Sequence, residues 1–448
     1  MRSWFILCVS LVSLVAGAAP LEVEAFSTPG QFAPHFAERE QLFGDVAHYR
    51  MRVRVGQGAH DFITLHRVVR EDRPWRPERA RKAVFMVHGD GWGFESAFLS
   101  SVGSASMPVD HSLAAFLAKE GVDVWGIDLR WVGVPVETTD FSFMADWDLG
   151  THVEDVGTGL GIAKLVRLAT GSVGGSMHLM GWSRGAVVSY AYLSAEARLP
   201  RGLRQVDGFI PVDMAVRFAP EHSAQKTWAC ERYEALRKKQ VEEHQVEGGL
   251  LGAAPGRTLQ GIGYLAATAP DAPSNLPADV FGPGTGVPTN RRVAIVAAAA
   301  TGALMAGFMP ITPNYHLFAG VPDATGLPGG LAFTNEAYLY EFAMRSAPYQ
   351  SFNEVVETEA WACGLGTPYD DHLDRVKVPV LYVGAAGGVG IYGLHSVSLL
   401  GSQDVTVVIA RTLPEQLRVL DYGHADLFLA NDARERVWTP MLQWVRSH

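Results

Sequence analysis

Ser183 lies between two glycines in Met177-His178-Leu179-Met180-Gly181-Trp182-Ser183-Arg184-Gly185-Ala186. A short apolar run leads into this Gly-x-Ser-x-Gly, and Val187, Val188, Tyr190, Ala191 and Leu193 continue it at helical spacing. Strand, sharp turn and helix in that order make a nucleophile elbow. A Cβ at Gly181 or Gly185 would collide with the crossing strand and helix. Ser183 would then stand proud of the sheet. The backbone N–H of Arg184, at the helix start, would face the same space and stabilise an oxyanion. The chemistry implied is acyl transfer through a serine. Five residues alone are a weak signal, so the rest of the chain must supply the context.

A serine hydroxyl is a poor nucleophile until a base takes its proton. The chain order nucleophile, acid, histidine puts that base late, past the last strand. Gly423-His424 stands there, and His424 is the expected base. His178, His372 and His395 fall inside or against strands and fit less well. A second oxyanion donor is expected from His88-Gly89-Asp90, at the end of the apolar run Ala83 to Val87. Gly89 lets the backbone come close, the Asp90 N–H is the expected donor, and the His88 side chain is expected to be structural. Trp92, Phe94 and Trp182 are expected to line the substrate pocket.

The acid is expected at the end of one of two strands. After Val378 to Val383 comes Gly384-Ala385-Ala386-Gly387-Gly388-Val389-Gly390, with no carboxylate. After Val206 to Val212 comes Asp213 at once. Asp213 is therefore the expected partner of His424, with Asp404 and Asp421 competing. Asp426 is expected to fasten the loop.

These residues need a sheet beneath them. His48 to Val55 and Phe62 to Val69 alternate in polarity and flank Gly56, Gly58 and Asp61, which is a hairpin signal. Ala83 to Val87, Val122 to Ile127, the elbow strand, Val206 to Val212, Val378 to Val383 and Val405 to Ile409 are apolar runs suited to strands buried on both faces. Helical spacing separates them over Leu113 to Lys119, Leu149 to Ala169 and Ala433 to Val445. That alternation predicts an α/β fold with a mostly parallel sheet. It breaks for about 160 residues after Asp213, far beyond a loop. The expected organisation is core 19–213, a largely helical cap 214–375, and core 376–448. Within the cap, Thr227 to Val241 and Asn335 to Met344 have helical character, and Ala297 to Ala300, Leu304, Met305, Phe308 and Met309 suggest an apolar cavity wall.

Composition bounds the function. The 448 residues carry a formal net charge of −10, which argues against nucleic acid as a partner. No phosphate-cradling loop, dinucleotide fingerprint or zinc-ligand spacing is present, so no cofactor and no metal is expected. Arg2, the apolar stretch from Trp4 to Val15 and Ala16-Gly17-Ala18 match a cleavable secretory signal over residues 1–18, so a secreted or periplasmic protein with no integral membrane span after cleavage is expected. Two cysteines then remain, Cys230 and Cys363, near the two edges of the cap. In an oxidising compartment the pair invites a disulfide.

With these pieces in order, the chain resembles the α/β-hydrolase superfamily with a serine nucleophile. The resemblance rests on His88-Gly89, Gly181 to Gly185 and Gly423-His424, and it spans the chain outside the signal and cap. Ser112-Leu113-Ala114-Ala115-Phe116-Leu117, Val122-Asp123-Val124-Trp125 and Gly423-His424-Ala425-Asp426 look like the acid-lipase-like secreted lipases and esterases. Trp182-Ser183-Arg184 departs from the usual His-Ser-Gln, and the carboxylate expected after the strand at 378–383 is missing. The resemblance implies an eight-stranded-type sheet flanked by helices, a large cap inserted after the sixth strand, and cofactor-free hydrolysis of small or lipid carboxylic esters through an acyl-enzyme. A different acyl bond (peptide, thioester, lactone), transfer to another acceptor, and an inactive binding protein on the same fold are the alternatives. Dehalogenase and epoxide-hydrolase chemistry are disfavoured, because they need a carboxylate at position 183.

Overall fold

The computed structural model describes residues 38–172, 175–249, 252–275, 286–301 and 315–448. The 1–18 segment and Leu304, Met305, Phe308 and Met309 lie outside the described residues. Eight strands precede Asp213: β1 (Glu38–Phe43), β2 (Val46–Arg54), β3 (Phe62–Arg73), the two-residue β4 (Arg76–Pro77), β5 (Lys82–Val87), β6 (Asp123–Asp128), β7 (Ser176–Trp182) and β8 (Gly208–Val212). Strands β9 (Gly320–Pro322) and β10 (Pro328–Leu331) pair only with each other. Strands β11 (Val380–Ala385) and β12 (Val405–Ala410) complete the main sheet.

The main sheet runs β1-β2-β3-β6-β5-β7-β8-β11-β12, with β4 hung on β3. Pairing is antiparallel from β1 to β6 and parallel from β6 onward. The parallel strands read as unbroken apolar runs because both faces are covered, and successive residues alternate between them. Val84, Met86, Met180, Trp182, Ile210 and Val212 point into one core. Ala83, Phe85, Val87, Met177, Leu179 and Phe209 point into the other, against the helices Leu149–Ala169 and Arg184–Glu196. Each fully buried Val, Leu or Phe contributes roughly 1.5–3 kcal/mol before entropy. The chain has a mostly parallel central sheet flanked by helices, which is the architecture of the α/β-hydrolase fold.

Two features differ from the expectation. The expected strands begin at His48, yet β1 lies ahead of them and pairs antiparallel with β2 as an edge strand. Its polar sequence, Glu38-Arg39-Glu40-Gln41, suits that half-exposed position and hides the strand from pattern reading. The strand expected over Phe62 to Val69 runs on to Arg73 and pairs there with β4. With the edge strand β1 and the two-residue β4 set aside, β8 is the sixth of eight main-sheet strands, and the long insert follows it at the expected place.

The insert carries the helices Ser223–Glu242, Pro255–Thr268, Asn290–Ala299, Glu336–Met344 and Phe352–Cys363. The first and last of these are joined by a disulfide between Cys230 and Cys363. No helix among the described residues is long and apolar enough to cross a membrane.

Candidate active site

The loops that leave the C-terminal ends of β5, β7, β8, β11 and β12 converge, as ligand sites in parallel α/β sheets do. Ser183 sits at the turn between β7 and the helix Arg184–Glu196 with φ 56° and ψ −129°. Such a conformation costs on the order of 1–3 kcal/mol in a non-glycine residue and must be imposed by its surroundings. Two hydrogen bonds help impose it: Ser183 N–H donates to the Val212 carbonyl at 3.0 Å, and Ala186 N–H to the Ser183 carbonyl at 2.9 Å. The flanking glycines leave no alternative. A Cβ on Gly181 would strike the Gly185 carbonyl and Ala186 Cα, and one on Gly185 would strike the Val87 and His88 carbonyls.

Asp213 comes directly after β8 with φ 48° and is fully buried. Its Oδ1 accepts the N–H groups of Ala385 and Gly390, each at 2.8 Å. Its Oδ2 accepts the Val389 N–H at 3.1 Å and meets His424 Nδ1 at 2.6 Å. A carboxylate can only accept, so Nδ1 carries the proton and Nε2 keeps its lone pair. That Nε2 is buried and makes no hydrogen bond to protein. The Trp182 indole stacks on the imidazole at 5.0 Å between centroids, which fixes the ring plane. His424 and Ser183 line the same cavity.

The other carboxylates do different things. Asp404 is exposed at the start of β12, 3.4 Å from the His448 ring. Asp421 is buried but accepts from the N–H groups of Thr412, Leu413 and Tyr422. Asp426 accepts from Gly423 N–H at 2.8 Å, Ala319 N–H at 2.6 Å and Thr334 Oγ1 at 2.6 Å, tying the His424 loop to the insert. Burial pushes the Asp426 carboxyl up to about 7.

On the other side of Ser183, a Cβ on Gly89 would lie 2.6 Å from Ser183 Cβ, so the β5 loop crosses in contact with the serine. His88 is held within that loop: Nδ1 bonds the Gly89 carbonyl at 2.9 Å, and Nε2 accepts the Leu129 N–H at 3.1 Å. Arg184 opens its helix, where the first N–H groups have no intrahelical acceptor. Its side chain turns back and grips Asp90, with Nε to Oδ1 at 2.5 Å and Nη2 to Oδ2 at 2.8 Å.

Trp92 and Trp182 line the cavity, but Phe94 does not. The Phe94 N–H donates to Asp128 Oδ1 at 2.6 Å, which draws the residue toward β6. Its ring then stacks on His66 at 4.6 Å over the Cα of Gly126, inside the core. The insert supplies wall residues that pattern reading does not single out: Trp228, Arg232, Leu259, Tyr315, Gln350 and Glu359. Gln350 donates to Asp90 Oδ1, Arg232 pairs with Glu359, and the Arg232 guanidinium lies 4.0 Å over the Trp228 ring. No local signal marks these residues, because each reaches the site through the fold of the insert.

Away from the cavity, His48, His66 and Glu95 have metal-ligating side chains close together. Protein partners account for them: His48 Nε2 and His66 Nδ1 are 3.0 Å apart, His66 Nε2 lies 3.0 Å from Asp128 Oδ2, and Glu95 pairs with Arg50.

No family profile and no curated protein sequence matches the chain. Among solved structures, a candidate lipase from Sulfolobus solfataricus superposes with a TM-score of 0.59 at 18% identity, over 92% of this chain and 99% of that one. A thermostable carboxyl esterase from Bacillus coagulans aligns at 14% identity and TM-score 0.40, over 89% of this chain and 98% of that one. A soluble variant of monoglyceride lipase from Saccharomyces cerevisiae aligns at 13% identity and TM-score 0.38, over 96% and 99%. The first likeness establishes the α/β-hydrolase fold.

Proposed function

We propose that this chain is a serine hydrolase of carboxylic esters working through an acyl-enzyme. The observation that carries the reading is the contact of His424 Nδ1 with Asp213 Oδ2 at 2.6 Å beside a strained serine elbow on the same cavity. Ser183 Oγ attacks the ester carbonyl and its proton passes to His424 Nε2. Asp213 holds the imidazole in the required tautomer and stabilises its cation. The N–H groups of Asp90 and Arg184 receive the tetrahedral oxyanion. Collapse expels the alcohol, which takes the proton from His424. Water then attacks the acyl-enzyme with His424 as base, and the acid leaves.

The insert 214–375 acts in this reading as a cap over the strand ends. It brings Phe218, Leu259 and Leu317 to the cavity wall, which suits an apolar acyl group. Residues 1–18 act as the export signal, and the Cys230–Cys363 bridge supports passage through an oxidising compartment.

A fluorophosphonate probe tests the reading. We expect covalent labelling of the folded protein at Ser183, no labelling of Ser183→Ala, and hydrolysis of short- to medium-chain acyl esters that Ser183→Ala abolishes. An unlabelled wild-type protein sinks it. Labelling without hydrolysis of any ester in the panel redirects it to another acyl bond, such as a thioester or lactone.

A further inference from the structure

The residues on either side of the serine hydroxyl are bonded to each other through their side chains. Arg184 is one residue from Ser183, and Asp90 is one residue from Gly89, whose backbone touches Ser183 Cβ. Their side chains form a two-point contact, Nε–Oδ1 at 2.5 Å and Nη2–Oδ2 at 2.8 Å. A bidentate guanidinium–carboxylate pair fixes orientation as well as distance, which a single hydrogen bond does not. Arg184 is 3% exposed, so its end of the pair is shielded from solvent. Burial opposes the Arg184 charge, and the Asp90 carboxylate, helped by Glu354 and Glu359, holds the guanidinium above its ordinary range.

These two residues belong to different loops, one after β5 and one after β7. Among the described residues, no backbone hydrogen bond joins Asp90 directly to Arg184. The side-chain fork is the hydrogen-bonded link between Asp90 and Arg184 themselves, whose N–H groups in this reading point at one oxygen. Gln350 from the insert donates to the same Asp90 Oδ1, so the fork is also held from above.

We propose that the Asp90 and Arg184 side chains are positioning residues, which set the spacing of the two backbone N–H donors of the oxyanion site and couple that spacing to the insert through Gln350. The inference rests on the serine-hydrolase reading. It accounts for arginine directly after the nucleophile, a long charged residue where burial would otherwise favour an apolar or amide side chain. The fork stabilises the transition state rather than the bound substrate, since the donors it spaces are aimed at the oxyanion.

The test compares wild type, Asp90→Asn, Arg184→Gln, the double variant and Gln350→Ala. Readouts are kcat, KM, affinity for a trifluoromethyl ketone (a mimic of the tetrahedral state), and end-point labelling by fluorophosphonate. Asp90→Asn keeps the shape and breaks the charge-assisted fork. We expect kcat to fall about tenfold to a hundredfold, the range for a small misplacement of a catalytic group, with KM within about threefold. Ketone affinity falls by a matching factor. The double variant loses no more than the worse single variant, because both remove one device. Gln350→Ala shows a smaller loss of the same kind. Should Arg184→Gln fail to fold, Asp90→Asn and Gln350→Ala carry the test, since the Asp90 side chain is 25% exposed and tolerates the change. Unchanged kcat in Asp90→Asn, a loss confined to KM, or losses that multiply in the double variant overturn the proposal. A wild-type protein that neither labels nor hydrolyses any ester refutes the hydrolase reading instead, and the proposal falls with it.

Discussion

The Asp213 carboxylate leaves the sheet from β8 yet rests on the loop after β11, where it accepts His424 Nδ1 at 2.6 Å. Three backbone N–H groups hold it there, that of Ala385 at the end of β11 and those of Val389 and Gly390 in the loop. A glycine-rich loop thus stands at the other of the two strand ends where an acid is expected. The segment Gly384 to Gly390 lacks a carboxylate of its own and cradles one from β8. A Cβ on Gly388 would strike Asp213 Oδ2, so the closest approach requires glycine.

Asp213→Asn should lower kcat by about 10³ to 10⁴ with little change in folding, because an amide would leave the imidazole in the wrong tautomer. Asp404→Asn should leave kcat unaltered, since Asp404 is exposed beside His448. Asp421→Asn should lower the melting temperature by loosening the 412–422 loop while keeping kcat within a few-fold. Steady-state kinetics on an ester substrate decide it. An active Asp213→Asn enzyme removes Asp213 from the triad.

Gly388→Ala tests the cradle without touching a titratable group. The added methyl has no room beside Asp213 Oδ2, so the carboxylate must shift. A displacement near 1 Å is worth about a hundredfold in rate. We expect that loss in kcat with a folded protein by circular dichroism. Gly366→Ala is the control, because a Cβ there meets nothing within 4 Å. Equal activity in the two variants would mean the cradle does not set the geometry.

Legibility in the sequence depends on the range of the interaction. The helix Leu149–Ala169 is readable to its ends because its signals are local: apolar spacing, and Asp148 as N-cap accepting the Thr151 N–H at 2.8 Å. The strands β5 to β8 are readable because burial on both faces leaves continuous apolar runs. The contact of His424 with Asp213 can be reached by chain order, since order constrains which strand end each residue leaves. Phe94 is misplaced by pattern alone because its direction depends on Asp128, 34 residues on. Gln350 and the Arg184–Asp90 fork are invisible for the same reason, with partners 260 and 94 residues apart. In helix Phe352–Cys363 the polar residues Glu354, Thr358 and Glu359 are buried with the apolar ones, so its polar positions do not mark a solvent face.

The buried carboxyl of Asp426 gives stability a pH dependence of defined sign. Burial raises its pKa to about 7 in the folded protein, against about 3.9 in an unfolded chain. Below about pH 4 both states hold the proton and the contribution is full. Between about 4 and 7 the unfolded chain ionises while the folded one stays protonated, so stability falls as pH rises. Above about 7 the penalty is constant. Asp426→Asn has no proton to lose. The melting-temperature difference, wild type minus variant, should therefore shrink from pH 4 to pH 7 and then level off. A difference that stays flat or grows with pH would contradict the burial-driven shift.

The Cys230–Cys363 bridge closes 133 residues of chain and joins the helices that carry Arg232 and Glu359 to the cavity wall. In the chain-entropy account a loop of that length is worth about 5 kcal/mol against the unfolded state. Protein lacking residues 1–18, denatured without reductant, should show no free thiols, and two after reduction. Cys230→Ala/Cys363→Ala should lower the denaturant midpoint clearly. It should also lower kcat, though less than Asp213→Asn, because Arg232 and Glu359 sit two and four residues from the lost sulfurs and lose a constraint on their pairing. Free thiols before reduction refute the bridge. A stability loss with kcat intact would confine it to restraining the unfolded chain, and the Arg232–Glu359 pair would then owe its position to helix packing alone.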